Sequence, residues 1–219
     1  MTEEEWLIST DPWPMSNIVC NTTSMRQIRH FVCACARDYW QQLNDPRSQN
    51  SLLEVEAFLA DANEPNLLRN VRAEARGALA DLDGTSKSTR STSRRLGMSG
   101  QRVGFLLVEL ATRPQVDWGD VYFLLEDTRG AACLVFAERI RDIFGNPFRP
   151  VDFDPRWRTS DVVGLARAIY EDRAFDRMPI LADALMDAGC ADDQIIGHCR
   201  GDGPHVRGCW VVDLVMGKE

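Results

Sequence analysis

Lysine is scarce in this chain of 219 residues: Lys87 and Lys218 are the only two, and arginine supplies the other basic side chains. Arginine prefers planar, bidentate partners such as carboxylates, so we expect many of the guanidinium groups to pair within the molecule. The formal net charge is −8. A general nucleic-acid binder needs a basic face to neutralise phosphates, so this acidic balance argues against nucleic acid as a partner.

Long apolar runs are also missing, since none approaches the roughly 18–20 residues that a membrane helix needs. The acidic start, Met1–Glu5, is unlike a secretory signal or a transit peptide. We therefore expect a cytoplasmic protein without a membrane span. Its seven cysteines are an odd number in a chain without an export signal, which favours reduced core cysteines or a metal site over a disulfide framework.

The familiar catalytic motifs are absent too: the sequence has no P-loop, Rossmann fingerprint, HExxH motif or nucleophile elbow. This favours a protein that is not an enzyme. A Cys–His nucleophile pair stays open as an alternative, because residues that meet only in the folded chain are invisible in the sequence.

Apolar residues recur at spacings of three and four along most of the chain, which is typical of amphipathic helices. Thr2 and Glu5 form a capping-box pattern, and the helix that they start is expected to end before Asp11–Pro14. Thr23 or Ser24 is expected to cap a longer helix. Short connectors favour antiparallel neighbours. We predict an all-α fold, an irregular array of antiparallel helices in two lobes that pack together.

The predicted lobes cover residues 1–83 and 99–219, and residues 84–98 form the predicted linker between them. Residues 84–95 are polar and basic, with no acidic or apolar side chain. Such a segment buries too little surface to offset its ordering entropy, which indicates a mobile, solvated loop. A phosphoacceptor role is the alternative, because basic residues flank hydroxyl groups, and its candidate sites are Ser88, Ser91 and Ser93.

The last thirty residues concentrate cysteine and histidine. Cys190, Cys199, His205 and Cys209 follow the spacing Cys-x8-Cys-x5-His-x3-Cys, which nearly matches a small zinc finger with its last two ligands exchanged. If Pro204 begins a final helix, His205 and Cys209 lie at i and i+4 on one face. These four residues are the candidate zinc ligands.

Core packing is the competing and favoured interpretation of the same residues. In such a final helix His205 and Cys209 continue into an apolar stripe, and free cysteine commonly packs as a small hydrophobe. His198 would lie at a helix C-terminus, where a histidine is favourable without any ligand role. The tight Cys-x2-Cys pair of most zinc sites is absent.

Several stretches of the chain resemble a large paralogous family of uncharacterised bacterial proteins. They are Thr2–Leu7 followed by Asp11-Pro12, then Phe31–Arg37, Asp142–Pro150, Leu181–Leu185 and His205–Trp210. The resemblance implies a helical cytoplasmic protein and nothing about activity, because the family has no known catalytic or ligand residues to carry over. Family members usually have an alanine-rich middle where this chain has its Ser/Thr/Arg segment, and they continue smoothly where it has Ser16–Asn21.

The sequence therefore predicts a non-catalytic helical module that binds another protein. A zinc-stabilised module that uses the C-terminal cysteines and histidine is the first alternative, with zinc as the only cofactor considered. An enzyme of unknown class with a Cys–His site is the second.

Overall fold

The computed structural model describes residues 1–61, 67–85, 99–127 and 131–218. Within them the chain is all-α, as predicted, with twelve α-helices and no strand. The helices are α1 (Glu3–Ile8), α2 (Pro12–Val19), α3 (Met25–Asp38), α4 (Pro46–Asp61), α5 (Leu67–Thr85), α6 (Gly100–Ala111), α7 (Trp118–Asp127), α8 (Ala131–Phe144), α9 (Ser160–Asp172), α10 (Met178–Asp187), α11 (Asp193–Arg200) and α12 (Trp210–Met216).

The chain divides into two compact units whose boundaries differ from those of the predicted lobes. The terminal unit combines Met1–Ile8 with Glu138–Glu219, and the central unit is Ser9–Ala137. Helix α8 crosses the boundary, and α1 belongs with the C-terminal helices rather than with the helices that follow it. Periodicity reveals which residues are apolar but not which distant helix they meet, so the sequence missed this division.

In the central unit, α3 packs on α6 and α4 packs on α5. The side chains of Phe31, Leu52 and Phe105 are among those fully buried there. In the terminal unit, α9 packs on α10 and α12, and α10 packs on α11. Ile169 and Met178 are fully buried in that second core. Each unit thus has a hydrophobic interior of its own, which is the dominant favourable term in its folding.

Two of the predicted helix starts are confirmed in atomic detail. The Thr2 hydroxyl accepts from the Glu5 amide at 3.2 Å, and the Glu5 carboxylate accepts from the Thr2 amide at 2.7 Å. Ser24 and Gln27 form the same reciprocal box at the start of α3. These caps satisfy amide groups that have no partner within the helix, so both starts are fixed locally.

Helix α1 ends at Ile8, before Asp11–Pro14 as expected, and these residues begin α2. The Asp11 carboxylate accepts from the Trp13 amide at 3.0 Å, so Asp11 is the N-cap. Pro12 occupies the first helical position, where a missing N–H costs nothing and a fixed φ is suitable. Asp11 and Pro12, which follow the end of α1, therefore start the next helix.

Residues 204–209 do not form the final helix that would place His205 and Cys209 on one face. Helix α12 begins at Trp210, Cys209 occupies its N-cap position, and His205 lies in the preceding loop. Gly208 has φ +91°, which a helix does not allow, and the Val206 amide donates to the Asp142 side chain instead of to a helical carbonyl. His205 and Cys209 are therefore not held at i and i+4 on a helix face.

Residues 86–98, which contain Ser88, Ser91 and Ser93, lie outside the described residues, so the mobile linker and its modification sites stay predictions. Gly84 and Thr85, the first residues of the predicted linker, end α5. Among the described helices, none combines the length and the apolar character that a membrane crossing demands.

Candidate metal centre

Four side chains of the terminal unit bring one potential ligand atom each to within 4.8 Å of all the others. They are Asp142, His198, His205 and Cys209, which offer a carboxylate oxygen, two ring nitrogens and a sulfur. Carboxylate, imidazole and thiolate are the side-chain groups that bind zinc in proteins. The group is therefore a candidate metal centre.

Two helix ends supply the first two members. Asp142 lies in the last turn of α8, and His198 lies in the last turn of α11. Helix α11 starts at a fixed point because the Asp192 carboxylate accepts from the amides of Gln194 and Ile195 at 2.9 and 3.0 Å. His198 is thereby placed one and a half turns further along a capped helix.

The loop between α11 and α12 supplies the other two members and is held at several points. The Val206 amide donates to the second carboxylate oxygen of Asp142 at 2.9 Å, and Arg139 donates to the Pro204 carbonyl at 3.3 Å. Arg207 donates to the Tyr170 carbonyl at 2.9 Å. Because these bonds reach α8 and α9, the loop has a defined position over the end of α8.

The distances within the group are close to the spacing of ligands around a small cation. His205 Nδ1 and His198 Nε2 lie 2.8 and 3.3 Å from Asp142 Oδ1. Cys209 Sγ lies 3.1 Å from His198 Nε2 and 4.0 Å from His205 Nδ1. Around a tetrahedral zinc ion with bonds of about 2.0 to 2.3 Å, neighbouring ligand atoms lie roughly 3.3 to 3.8 Å apart.

Solvent has little access to the group. The side chains of Asp142 and His205 are 5% and 6% exposed, Cys209 is fully buried, and His198 is 18% exposed. The two imidazole rings pack edge to face with centroids 4.7 Å apart. Ionised groups in such surroundings need compensating partners. A carboxylate and a thiolate would together neutralise a divalent cation, which leaves a buried centre without net charge.

The pKa values of the two acidic members respond to burial in different ways. Burial acts to raise the pKa of Asp142, but hydrogen bonds and charges from His198 and His205 outweigh it and leave that pKa below its ordinary value. Burial, and then the charge of Asp142, raises the pKa of the Cys209 thiol well above its ordinary range. The thiol therefore keeps its proton unless a cation stabilises the thiolate, as a zinc ion does.

The geometry does not resemble a nucleophilic Cys–His–Asp triad. In a triad the histidine contacts the nucleophile with one ring nitrogen and the carboxylate with the other. Here the same atom, His198 Nε2, faces both Cys209 and Asp142. A catalytic thiol also needs a lowered pKa and some exposure, whereas Cys209 is fully buried with a raised pKa. Convergence on one point is what a ligand shell requires.

The candidate group contains two of the four residues that the sequence proposed for zinc. His205 and Cys209 are in it, whereas Cys190 and Cys199 are buried in the terminal unit and are not among its four members. Burial comes first among the causes that raise the pKa of Cys190, and it raises the pKa of Cys199 to about 12. Both thiols therefore stay neutral, as small core hydrophobes do.

Sequence reasoning missed Asp142 as a ligand and assigned His198 to a helix end. Asp142 lies 56 residues before His198, so linear spacing gives no hint of their contact. One local signal exists, because a carboxylate in the last turn of a helix opposes the helix dipole. An acidic residue in that position indicates that something else in the fold compensates it.

No protein-family model, no curated protein and no solved structure matches this chain. The resemblance to a bacterial family therefore stays an expectation from the sequence, and the function is argued from the site alone.

Proposed function

We propose that this protein is a non-catalytic helical module whose terminal unit binds one zinc ion through Asp142, His198, His205 and Cys209. The observation that carries the proposal is the convergence of four different ligand atoms within 4.8 Å in a buried site. The zinc would join the end of α8, the end of α11 and the start of α12, so its role is to stabilise the unit.

A structural role is favoured over a catalytic one because the shell is complete. Structural zinc sites have four protein ligands, whereas catalytic sites leave a position open for water or substrate. The second oxygen of Asp142 is already taken by the Val206 amide, so the carboxylate has one oxygen for the metal. Two nitrogens, one sulfur and one oxygen suit zinc better than magnesium or calcium, which take oxygen ligands.

Metal analysis of protein purified without a chelator tests the proposal directly. We expect about one zinc per chain, and less than about 0.2 per chain after equilibration with zinc would contradict it. Cys209→Ser should lose the metal. Cys190→Ser is the matched control, since Cys190 is a buried cysteine outside the group, and it should keep the metal.

Cobalt offers a spectroscopic check of the ligand set. A tetrahedral Co²⁺ ion with one thiolate ligand gives intense visible bands and a sulfur-to-cobalt charge-transfer band in the near ultraviolet. Cys209→Ser should remove the charge-transfer band. Its persistence in that variant would show that another cysteine binds the metal, as the set Cys190, Cys199, His205 and Cys209 proposed from linear spacing allows.

Binding of another protein is the second candidate function, and exposed apolar side chains of the terminal unit favour it. Ile8 is 80% exposed, and Leu7 and Ile180 are each 55% exposed. Large exposed aliphatic side chains are common at interfaces, although single ones also occur on ordinary surfaces. If the protein works this way, Ile180→Asp should release a partner that co-purifies stoichiometrically with the wild type. A monodisperse monomer that captures only chaperones would contradict the idea.

A further inference from the structure

Helix α1 packs on the residues that follow α8. The Trp6 side chain of α1 is 1% exposed, and its ring meets the Phe148 ring edge on, with centroids 6.4 Å apart. The Glu3 carboxylate accepts from Arg149 at 2.6 Å and from the Asn146 amide group at 2.8 Å. A six-residue helix is too short to be stable by itself, so these contacts maintain it.

The residues on which α1 packs are continuous with the candidate metal centre. Arg141, which precedes the ligand Asp142, donates to the Trp6 carbonyl at 3.1 Å. Gly145 has φ +66° and lies so close to Trp210 that a Cβ atom there would be 3.3 Å from the indole ring. Trp210 directly follows the cysteine ligand. The residues that hold α1 are therefore contacted on their other side by the segment that contains Cys209 and Trp210.

One ligand and α1 also line the same cleft, which has a volume of about 340 Å³. Its walls include Glu3, Trp6 and Leu7 of α1 together with His198 and Trp210. The indole of Trp210 lies 5.2 Å from the His198 ring. His198 is the most exposed of the four ligands, so the side of the centre nearest to solvent is the side that α1 borders.

We infer that zinc binding at the centre and seating of α1 on the terminal unit stabilise each other, so that α1 acts as a metal-dependent strap. The inference rests on the proposed function. A zinc ion would fix Asp142 relative to Cys209, and hence the end of α8 relative to Trp210. That end of α8 and the residues after it are the surface on which Trp6 and Glu3 rest. By linkage, if zinc stabilises the packing of α1 on the terminal unit, that packing must increase the affinity for zinc by the same free energy.

Hydrogen exchange with and without zinc tests one direction of the coupling in the full-length protein. We expect zinc to slow amide exchange of residues 6–8 by about tenfold or more, within the usual range of couplings between sites. Amides of α3 in the central unit serve as the internal control and should not change. Equal exchange of residues 6–8 in protein that has demonstrably bound zinc overturns the coupling and leaves the metal site intact.

Zinc affinity of strap variants tests the reciprocal direction. Trp6→Ala should weaken zinc binding about tenfold, as measured by competition with a chromophoric chelator. Ile8→Ala, in the same helix but at an exposed position, should bind zinc like the wild type. Glu3→Gln is a milder variant that keeps the tryptophan, and it decides the matter if Trp6→Ala loses helix content. Unchanged affinity in both variants would overturn the inference, and absence of zinc from the wild type would overturn the proposed function with it.

Discussion

In the central unit the buried carboxylates of Glu56 and Glu109 face arginine, whereas in the terminal unit the buried carboxylate of Asp142 faces two histidines and a cysteine. Arg37 donates to Glu56 at 2.8 Å, and Arg113 donates to Glu109 at 2.9 and 3.1 Å. Guanidinium is permanently charged and cannot bind a metal. Imidazole and thiol can lose a proton and become ligands. The two units therefore compensate a buried negative charge with different chemistry.

In a chain without catalytic motifs, this difference indicates which buried groups can take part in a function. An arginine–carboxylate pair is complete without any additional component, because each charge has its partner. The group around Asp142 has two imidazole rings and a thiol of raised pKa, so its state depends on what is bound. Of these two kinds of buried group, only the group of imidazoles and a thiol around a carboxylate can bind a cation.

The largest expected effect comes from neutralising one carboxylate in each unit. At zinc a thousandfold above its Kd, Asp142→Asn should lower the free energy of unfolding of the terminal unit by about 4 kcal/mol, because it forfeits the stabilisation by zinc. Glu109→Gln should cost the central unit about 2 kcal/mol, because Arg113 loses one of its two carboxylate partners and keeps Asp120.

Hydrogen exchange in low denaturant reports both units separately. A chelator should abolish most of the difference between Asp142→Asn and the wild type and should leave the Glu109→Gln difference unchanged. A cost for Asp142→Asn that is the same with and without zinc would mean that its carboxylate serves only as a hydrogen-bond acceptor.

A smaller effect is expected from a methyl group placed between the end of α8 and α12. Gly145→Ala forces a left-handed backbone on an ordinary residue and crowds the Trp210 ring, which should cost about 1–2 kcal/mol. Zinc affinity should fall a few-fold as well. Gly164→Ala is the matched control in the same unit, since nothing lies within 4 Å of its new Cβ.

Because Gly164 occupies the interior of α9, alanine there should stabilise the helix by about 0.5–1 kcal/mol. Urea unfolding of both variants provides the measurement. Equal effects of the two substitutions on stability and on zinc binding would show that Gly145 has no special relation to the centre.

The smallest expected effect concerns an ion pair at the surface of the central unit, Arg47 with Asp45. Hydrogen bonds from Arg47 to Asp45 lower the pKa of that carboxyl. Stabilisation is therefore fully present above the unfolded pKa of about 3.9 and is lost as the pH falls through the lower folded pKa. Solvent screening limits the contribution to about 1 kcal/mol or less.

A carboxyl ¹³C titration of the wild type measures the Asp45 pKa directly. Added salt should move it back toward its ordinary value, because salt screens charges that are exposed to solvent. A titration midpoint at or above about 3.9 would contradict the structure.

The fold was largely predictable because its signals are local. The caps at Thr2 and Ser24 and the periodic apolar residues predicted helices that the structure confirms. The start of α12 was not predictable in the same way. Pro204 is a valid helix opener by local rules, but the Val206 amide is used by a carboxylate from a distant helix. A tertiary hydrogen bond decided against a local preference.

The candidate site was half predictable for the same reason. His205 and Cys209 belong to the group and were proposed from their spacing, although the helix that was expected to unite them does not exist there. Asp142 reaches the group through packing of α8 against the loop, and no pattern in the sequence encodes that contact. The one available signal was the negative charge of Asp142 at the C-terminal end of α8, which the helix dipole disfavours.

Helix α1 has a consequence for synthesis of the chain on the ribosome. Its partners Phe148 and Arg149 are made only after the whole central unit, Ser9–Ala137, has been translated. At about 5–20 residues per second, the 129 residues from 9 to 137 take roughly 6–26 s. For that time Trp6 is an apolar side chain of the nascent chain without the surface that will cover it. A helix translated before the central unit therefore reaches its native place only after that unit has been made.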